Sequence, residues 1–227
     1  MTHSGKMRGA VSADGRHLPP GQFAGKAFPR FGLGRFKNKP VAHDGPLGLD
    51  LKGLVEKPRV VTAAQLDALE RVRQVSDFHC VTTWSIFDVT WEGVRFADFC
   101  NAIALPQPDA ALVVFHGLDG YRCALPLADL MASDVLLADR MNGAPLGLDH
   151  GGPLRLVAPA HYGYKNVKYL AAIEFRKDRR GYRFPFPYPG LMDHPRGRVA
   201  LEERAQFLPN WLVRPLYKVF VPRAVRK

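Results

Sequence analysis

Every apolar segment of this 227-residue chain is short, and no segment repeats at a fixed period. Twenty-one glycines and nineteen prolines cut the chain into pieces of strand or single-helix length. Leu49 to Val55 alternates apolar and polar residues, the period of a half-buried strand, and ends in a turn. Thr62-Ala-Ala-Gln65 has the capping-box pattern, with Leu66, Leu69 and Val72 following at helical spacing, so a helix is expected there. A second helix is expected around residues 96–103. Ala111 to Phe115 and Leu154 to Ala158 read as apolar strands, with turn signals at Leu118-Asp-Gly120 and Asn142-Gly143. Pro126 to Met131 reads as a helix opened by proline. Val167, Tyr169, Ala171, Ile173 and Phe175 share one face of a further strand, opposite Lys168 and Glu174. After Arg176 the run RGYRFPFPYPG is too irregular for a sheet. Strands and helices mix without a regular strand–helix–strand rhythm, which predicts an α+β domain rather than a doubly wound one.

A hydrophobic content of 47% and a charged content of 23% are those of a globular protein and exclude disorder across the whole chain. No run reaches the length of a membrane-spanning helix. The net charge of +11 is unevenly spread: residues 1–40 carry +7, residues 176–227 carry +9 and the middle carries −5. Basic ends on an acidic centre can cradle an anionic cofactor, dock an acidic partner or rest on an anionic membrane. A nucleic-acid binder would carry its basic residues on the folded domain with a recognisable motif, and none is present, so no nucleic-acid partner is expected. The N-terminal residues lack an apolar core segment and a twin arginine, so a cytoplasmic location is expected.

Cys80, Cys100 and Cys123 are too few and too irregularly spaced for a disulfide framework or a zinc site. Cys100 and Cys123 lie in apolar or strand-like surroundings and read as small buried hydrophobes. Cys80 differs, because His79, Thr82, Thr83 and Ser85 offer donors that can stabilise a thiolate. From those neighbours alone, a buried thiol and a reactive one both stay open.

Five motifs then follow in order: His79-Cys-Val-Thr-Thr-Trp-Ser85 with Trp91-Glu-Gly-Val94, Met141-Asn-Gly-Ala-Pro-Leu146, His150-Gly-Gly-Pro-Leu-Arg155, His161-Tyr-Gly-Tyr-Lys-Asn-Val-Lys168 and Asp193-His-Pro-Arg196. Together they resemble the molybdopterin-binding domain of the sulfite oxidase family, most of all its bacterial branch of protein-methionine-sulfoxide reductase catalytic subunits. The similarity runs from about Arg30 to Phe207. It implies a mixed-sheet molybdopterin-binding domain over residues 27–207, between a mobile basic tail over 1–26 and a basic aromatic tail over 208–227. It also implies that Cys80 is the catalytic residue and the one protein ligand to molybdenum. One sulfur from the chain and two from the pterin dithiolene suit a soft metal.

The implied cofactor is molybdenum-molybdopterin (Mo-MPT) in its single-phosphate form. Arg155 follows a Gly-Gly-Pro turn, where backbone can approach a ligand and a guanidinium can form a forked bond with phosphate. Lys168, with Asn166 and Val167 before it, adds a point charge and amide donors. His150 is expected to donate to the pterin, and Arg30 and Phe31 to contact it from an N-terminal arm. Read singly, each of these is an ordinary surface charge. Trp84, Tyr162, Tyr164 and the two threonines read equally as pocket lining or core.

The expected activity is two-electron oxygen-atom transfer on a small-molecule or peptide-borne oxo compound of sulfoxide or N-oxide type. No haem-binding or second metal motif occurs in these residues, so electrons are expected to pass to or from a separate electron-transfer protein. The apolar and basic segment Trp211 to Arg223 is expected to wrap its own domain, or to make a weak peripheral membrane contact. Two departures from the family stand out: Thr82 where an acidic residue is usual, and Gly117 where a hydroxyl is usual. Together they keep a cofactor-free binding or scaffold protein open as the alternative.

Overall fold

The computed structural model describes residues 11–12, 15–32, 34–37, 39, 41, 45, 47–185 and 190–226. Its strands are β1 (Phe23–Ala24), β2 (Gly48–Gly53), β3 (Arg59–Thr62), β4 (Arg71–His79), β5 (Trp84–Arg95), β6 (Leu112–Gly117), β7 (Arg122–Pro126), β8 (Leu136–Met141), β9 (Ala144–Pro145), β10 (Arg155–Val157) and β11 (Leu170–Arg176). Its helices are α1 (Gly34–Lys37), α2 (Ala63–Asp67), α3 (Phe96–Phe99), α4 (Leu127–Leu130), α5 (Asn210–Lys218) and α6 (Arg223–Arg226). None is long and apolar enough to cross a membrane, among the described residues.

Two mixed sheets carry the fold. One runs β1-β5-β8-β10, with β4 added to β5 and β9 to β8; the other runs β3-β2-β11-β6-β7. A single apolar core joins them, drawing Leu51, Phe115 and Phe175 from the second sheet, Val94, Leu137 and Leu156 from the first, and Phe96 and Phe99 from α3. The α+β class expected from sequence is therefore the observed one. The Asn142-Gly143 turn is also as read: both residues have positive φ (51° and 81°), as the tight link between β8 and β9 requires.

Three expectations change. The capping box at Thr62 and Gln65 forms in full, but α2 stops at Asp67 and Val72 lies in β4. Pairing of Arg71 with Val94 of β5 starts a nine-residue strand there, and tertiary pairing overrides a weak helical preference. Along β11 the alternation slips, because a register shift between Leu170 and Ala172 puts Leu170 into the core with Ile173 and Phe175 in place of Ala171, which is only half-buried. Finally, the stretch expected to be a mobile tail is partly built into the fold. Leu18 and Gln22 are buried and β1 pairs with Trp84 and Ser85, since this segment supplies hydrogen bonds that the β4–β5 corner lacks. The rest of that stretch, residues 1–10, 13 and 14, lies outside the described residues.

The late segment after β11 is fastened by a buried charge cluster. Lys165 Nζ, fully buried, donates to Asp193 at 2.7 Å and to the carbonyl of Ala124 in β7 at 2.9 Å, while Arg179 reaches the other Asp193 oxygen at 2.6 Å. Removing one partner of such a cluster leaves an uncompensated charge. Asp193→Asn is expected to destabilise by about 3–5 kcal/mol. Lys165→Met is expected to cost less, because Arg179 still faces the carboxylate. Urea unfolding of both variants checks the order, and equal losses contradict this account.

Candidate functional site

Cys80 sits at the corner between β4 and β5. Its N–H donates to the Trp84 carbonyl at 2.8 Å, and Thr83 N–H donates to the Cys80 carbonyl at 3.1 Å. Closing so tight a corner forces Thr83 to φ +78°, an uncommon conformation for a β-branched residue. The N-terminal segment clamps it there. Gln22 Nε2 donates to the Cys80 carbonyl (3.1 Å), Gln22 Oε1 accepts from Ser85 Oγ (3.2 Å), and Phe23 N–H donates to the Thr83 carbonyl (3.0 Å). The thiol is 3.1 Å from Thr82 Oγ1. Burial pushes its pKa up to about 11, against the pull of the Thr82 hydroxyl and of Arg204 and Lys168. Without a cation at the sulfur the group is a thiol.

The thiol opens on a cavity of about 360 Å³ whose other residues include Arg30, Phe31, Arg155, Asn166 and Lys168. Arg155, at the start of β10, is 1% exposed. Its guanidinium donates to the His150 carbonyl at 2.7 Å and lies 5.0 Å over the Trp91 ring. Burial lowers its pKa to about 10. Lys168 Nζ donates to the carbonyls of Phe31 (2.8 Å) and Asp149 (2.9 Å). Burial, followed by repulsion from Arg155 and Arg30, pulls its pKa down to about 7. Among the described residues neither cation has a carboxylate within ion-pair distance. A buried and a half-buried cationic donor side by side are the chemistry that an anion would answer.

The glycine-rich motif makes the site possible. A Cβ at Gly151, whose φ is +97°, would lie 2.6 Å from the Lys168 side chain, and one at Gly152 would lie 1.9 Å from the Leu146 carbonyl. Any other residue would displace Lys168 at position 151 and the Leu146 backbone at position 152. The missing hydroxyl at Gly117 has a similar origin, since a Cβ there would lie 2.6 Å from Asp119 Oδ1 and 2.7 Å from the Lys168 carbonyl. Asp119 occupies that part of the cavity instead, with its pKa raised by burial.

The residues singled out from sequence are thus mostly brought together. Two are not on the wall. The His150 ring packs 5.1 Å from Phe28, so the residue acts through its carbonyl on Arg155, and Val167 is core with its N–H donated to Lys165. Thr82 and Tyr164 line the cavity, whereas Trp84 and Tyr162 are core. Sequence reading missed Gln22, Asp119, Tyr217 and Phe220. Asp119 carried only a turn signal, and Gln22 carried none.

The family described as "Oxidoreductase molybdopterin binding domain" matches residues 40–183. The "Uncharacterized oxidoreductase YuiH" of Bacillus subtilis is 36% identical over 148 residues, covering 61% of this chain and 74% of that protein. The "Protein-methionine-sulfoxide reductase catalytic subunit MsrP" of Campylobacter jejuni is 29% identical over 150 residues, 58% of this chain and 49% of that one. The crystal structure of the sulfane dehydrogenase SoxCD from Paracoccus pantotrophus superposes with a TM-score of 0.53 at 22% identity, over 76% of this chain and 45% of that one. That likeness is one of fold. The chain spans about half the length of the named reductase subunit.

Sulfate, a dianion throughout the neutral range, probes the cationic end directly. Lys168 gains its charge as pH falls toward about 7. Sulfate affinity of cofactor-free protein is therefore expected to rise from pH 9 to pH 7, by at most about tenfold per unit. Lys168→Met should flatten that profile in calorimetric titrations; a profile that is flat in the wild-type protein contradicts the assignment.

Proposed function

This chain belongs to the molybdopterin-binding oxidoreductases of the sulfite oxidase family, and from that premise we propose that it is an oxygen-atom transferase acting on sulfoxide- or N-oxide-type compounds. The observation that carries the reading is that one cavity holds the Cys80 thiol, the buried cation Arg155 and the half-buried cation Lys168, and neither cation forms an ion pair among the described residues. Cys80 is the thiol in the donor set that lines the cavity. That set fits a metal whose remaining soft ligands arrive with its cofactor.

In this reading Cys80 ligates molybdenum as a thiolate, giving up the proton that burial otherwise retains. Arg155 and Lys168 hold the phosphate of Mo-MPT, with Arg30 beside them. Asn166 fixes the geometry, its Oδ1 accepting from Ala158 N–H at 2.6 Å and its carbonyl facing Arg155 at 3.5 Å. Once bound, the cofactor supplies two-electron oxygen-atom transfer. The chain supplies ligation, a cationic cradle and a water-poor chamber. The named activity of MsrP supports a sulfoxide substrate, and its description as a catalytic subunit supports electron exchange with a separate protein.

Protein made in a cofactor-competent host is expected to carry about one molybdenum per chain, the metal tied to thiolate ligation. Cys80→Ser should reduce dye-linked sulfoxide turnover to background while leaving the melting temperature within a few degrees of wild type. Lys168→Met should weaken pterin retention by about 10–100-fold, read from the fluorescence of the released, oxidised pterin. Wild-type protein from that host with no molybdenum would instead support the cofactor-free alternative.

A further inference from the structure

The two ends of the cavity are built by different parts of the chain. The cationic end comes from β10, residues 163–169 and the arm around Arg30. The thiol end is closed by the C-terminal segment, which lies beyond the family-matched residues 40–183. Tyr217 of α5 packs with Val81, and Val221 and Val225 pack with Cys80 and Trp84. Lys26 N–H donates to the Val225 carbonyl at 3.2 Å and holds the segment down. Tyr217 and Phe220 face the cavity, yet their exposures differ: Tyr217 is 7% exposed and Phe220 64%. Tyr217 is thus an inner wall and Phe220 a rim.

Charge near this end is already engaged. Arg204, fully buried, pairs with Glu202 at 3.1 Å and donates to the carbonyls of Val81 (2.6 Å) and Pro20 (3.1 Å). It does not line the cavity. Val81 and Thr82, next to Cys80 in the chain, line the cavity together with Tyr217 and Phe220, and all four side chains are uncharged.

We propose that Tyr217 and Phe220 are specificity-determining residues, forming the substrate-side wall over Cys80 that selects a neutral oxo group carried on an apolar substituent. The proposal rests on Cys80 being the metal ligand. An oxyanion entering past these rings loses hydration against uncharged side chains, while in the proposed reading Arg155 and Lys168, cations that line the cavity, are taken up by the cofactor phosphate. An apolar substituent instead covers the Phe220 ring, which otherwise stays in water.

Access to Cys80 in cofactor-free protein tests the wall without any turnover. Alkylation is followed at the Cys80 peptide, with Cys100 and Cys123 as buried references. Phe220→Ala and Tyr217→Ala are expected to speed reaction with a bulky maleimide at least about fivefold more than with iodoacetamide, since the barrier is steric. Tyr217→Phe should restore the wild-type rate, because the ring is the barrier. Equal acceleration of both reagents, or none, overturns the proposal.

In molybdenum-loaded protein of matched metal content, Phe220→Ala should lower the kcat/KM ratio of an aryl sulfoxide to dimethyl sulfoxide by about tenfold, the scale of one lost apolar contact. An unchanged ratio, or a wild-type preference for an oxyanion over both sulfoxides, overturns it too. If fully loaded wild-type protein turns over no neutral oxo compound, the activity reading fails by itself, and the alkylation series still decides the wall.

Discussion

Taking an arginine and a lysine out of water into one cavity costs several kcal/mol per ion unless other groups compensate them. Arg155 and Lys168 are compensated by carbonyl oxygens and aromatic faces, with no carboxylate paired to either among the described residues. The two respond differently. Arg155 keeps its charge even with its pKa lowered to about 10, whereas Lys168 titrates near 7. A cofactor phosphate would reverse the balance, since a dianion beside Lys168 favours its charged form. In the proposed reading an anionic ligand would supply the counter-charge that the carbonyls and rings only partly replace.

The surrounding fold serves that arrangement. Gly151 and Gly152 let the backbone carrying Lys168 pass close to the 146–155 turn, and Gly163 leaves room for the Phe78 ring, which a Cβ would approach to 2.2 Å. Phe78 and Trp91 then form the aromatic bed beneath the Arg155 guanidinium. At the other end, Gln22 and β1 add hydrogen bonds to the corner that presents Cys80, so a sulfur at the end of a hairpin is tied to a second segment of the chain. Rigid placement of the ligating atom is what a metal site needs from its scaffold.

Local features were legible in the sequence where the signal is short-range. The Thr62–Gln65 capping box, the Asn142-Gly143 turn and the glycines around Arg155 each act through neighbours a few residues away. Arg155, Lys168 and Cys80 were legible through motif order and not through any property of the single residues. What was not legible depends on distant partners. Gln22 reaches Cys80 across 58 positions, Tyr217 reaches Val81 from the far end of the chain, and the slip in β11 depends on its pairing with β6. Val72 belongs with these, because a neighbouring strand claimed it from a helix that local spacing predicted. His150 marks the opposite failure: its type suggested a donor, while its carbonyl is the group in use.

The two basic ends acquire a physical explanation from the same contacts. Arg196 and Arg198 converge on Asp129, whose burial would raise its pKa but whose hydrogen bonds to both arginines hold it below the usual carboxylate range. Arg204 and Arg214 converge on Glu202, and Arg179 joins Lys165 on Asp193. From the other end, Lys39 donates to the Asp119 carbonyl at 2.5 Å and Arg30 pairs with Asp149 at 3.3 Å. Arg196, Arg198 and Arg30 thus turn charge from the ends onto Asp129 and Asp149 of the acidic middle, whereas Glu202 and Asp193 pair with arginines of their own C-terminal stretch. A charge pattern that in sequence suggests an external polyanion is met in large part by pairing within the chain.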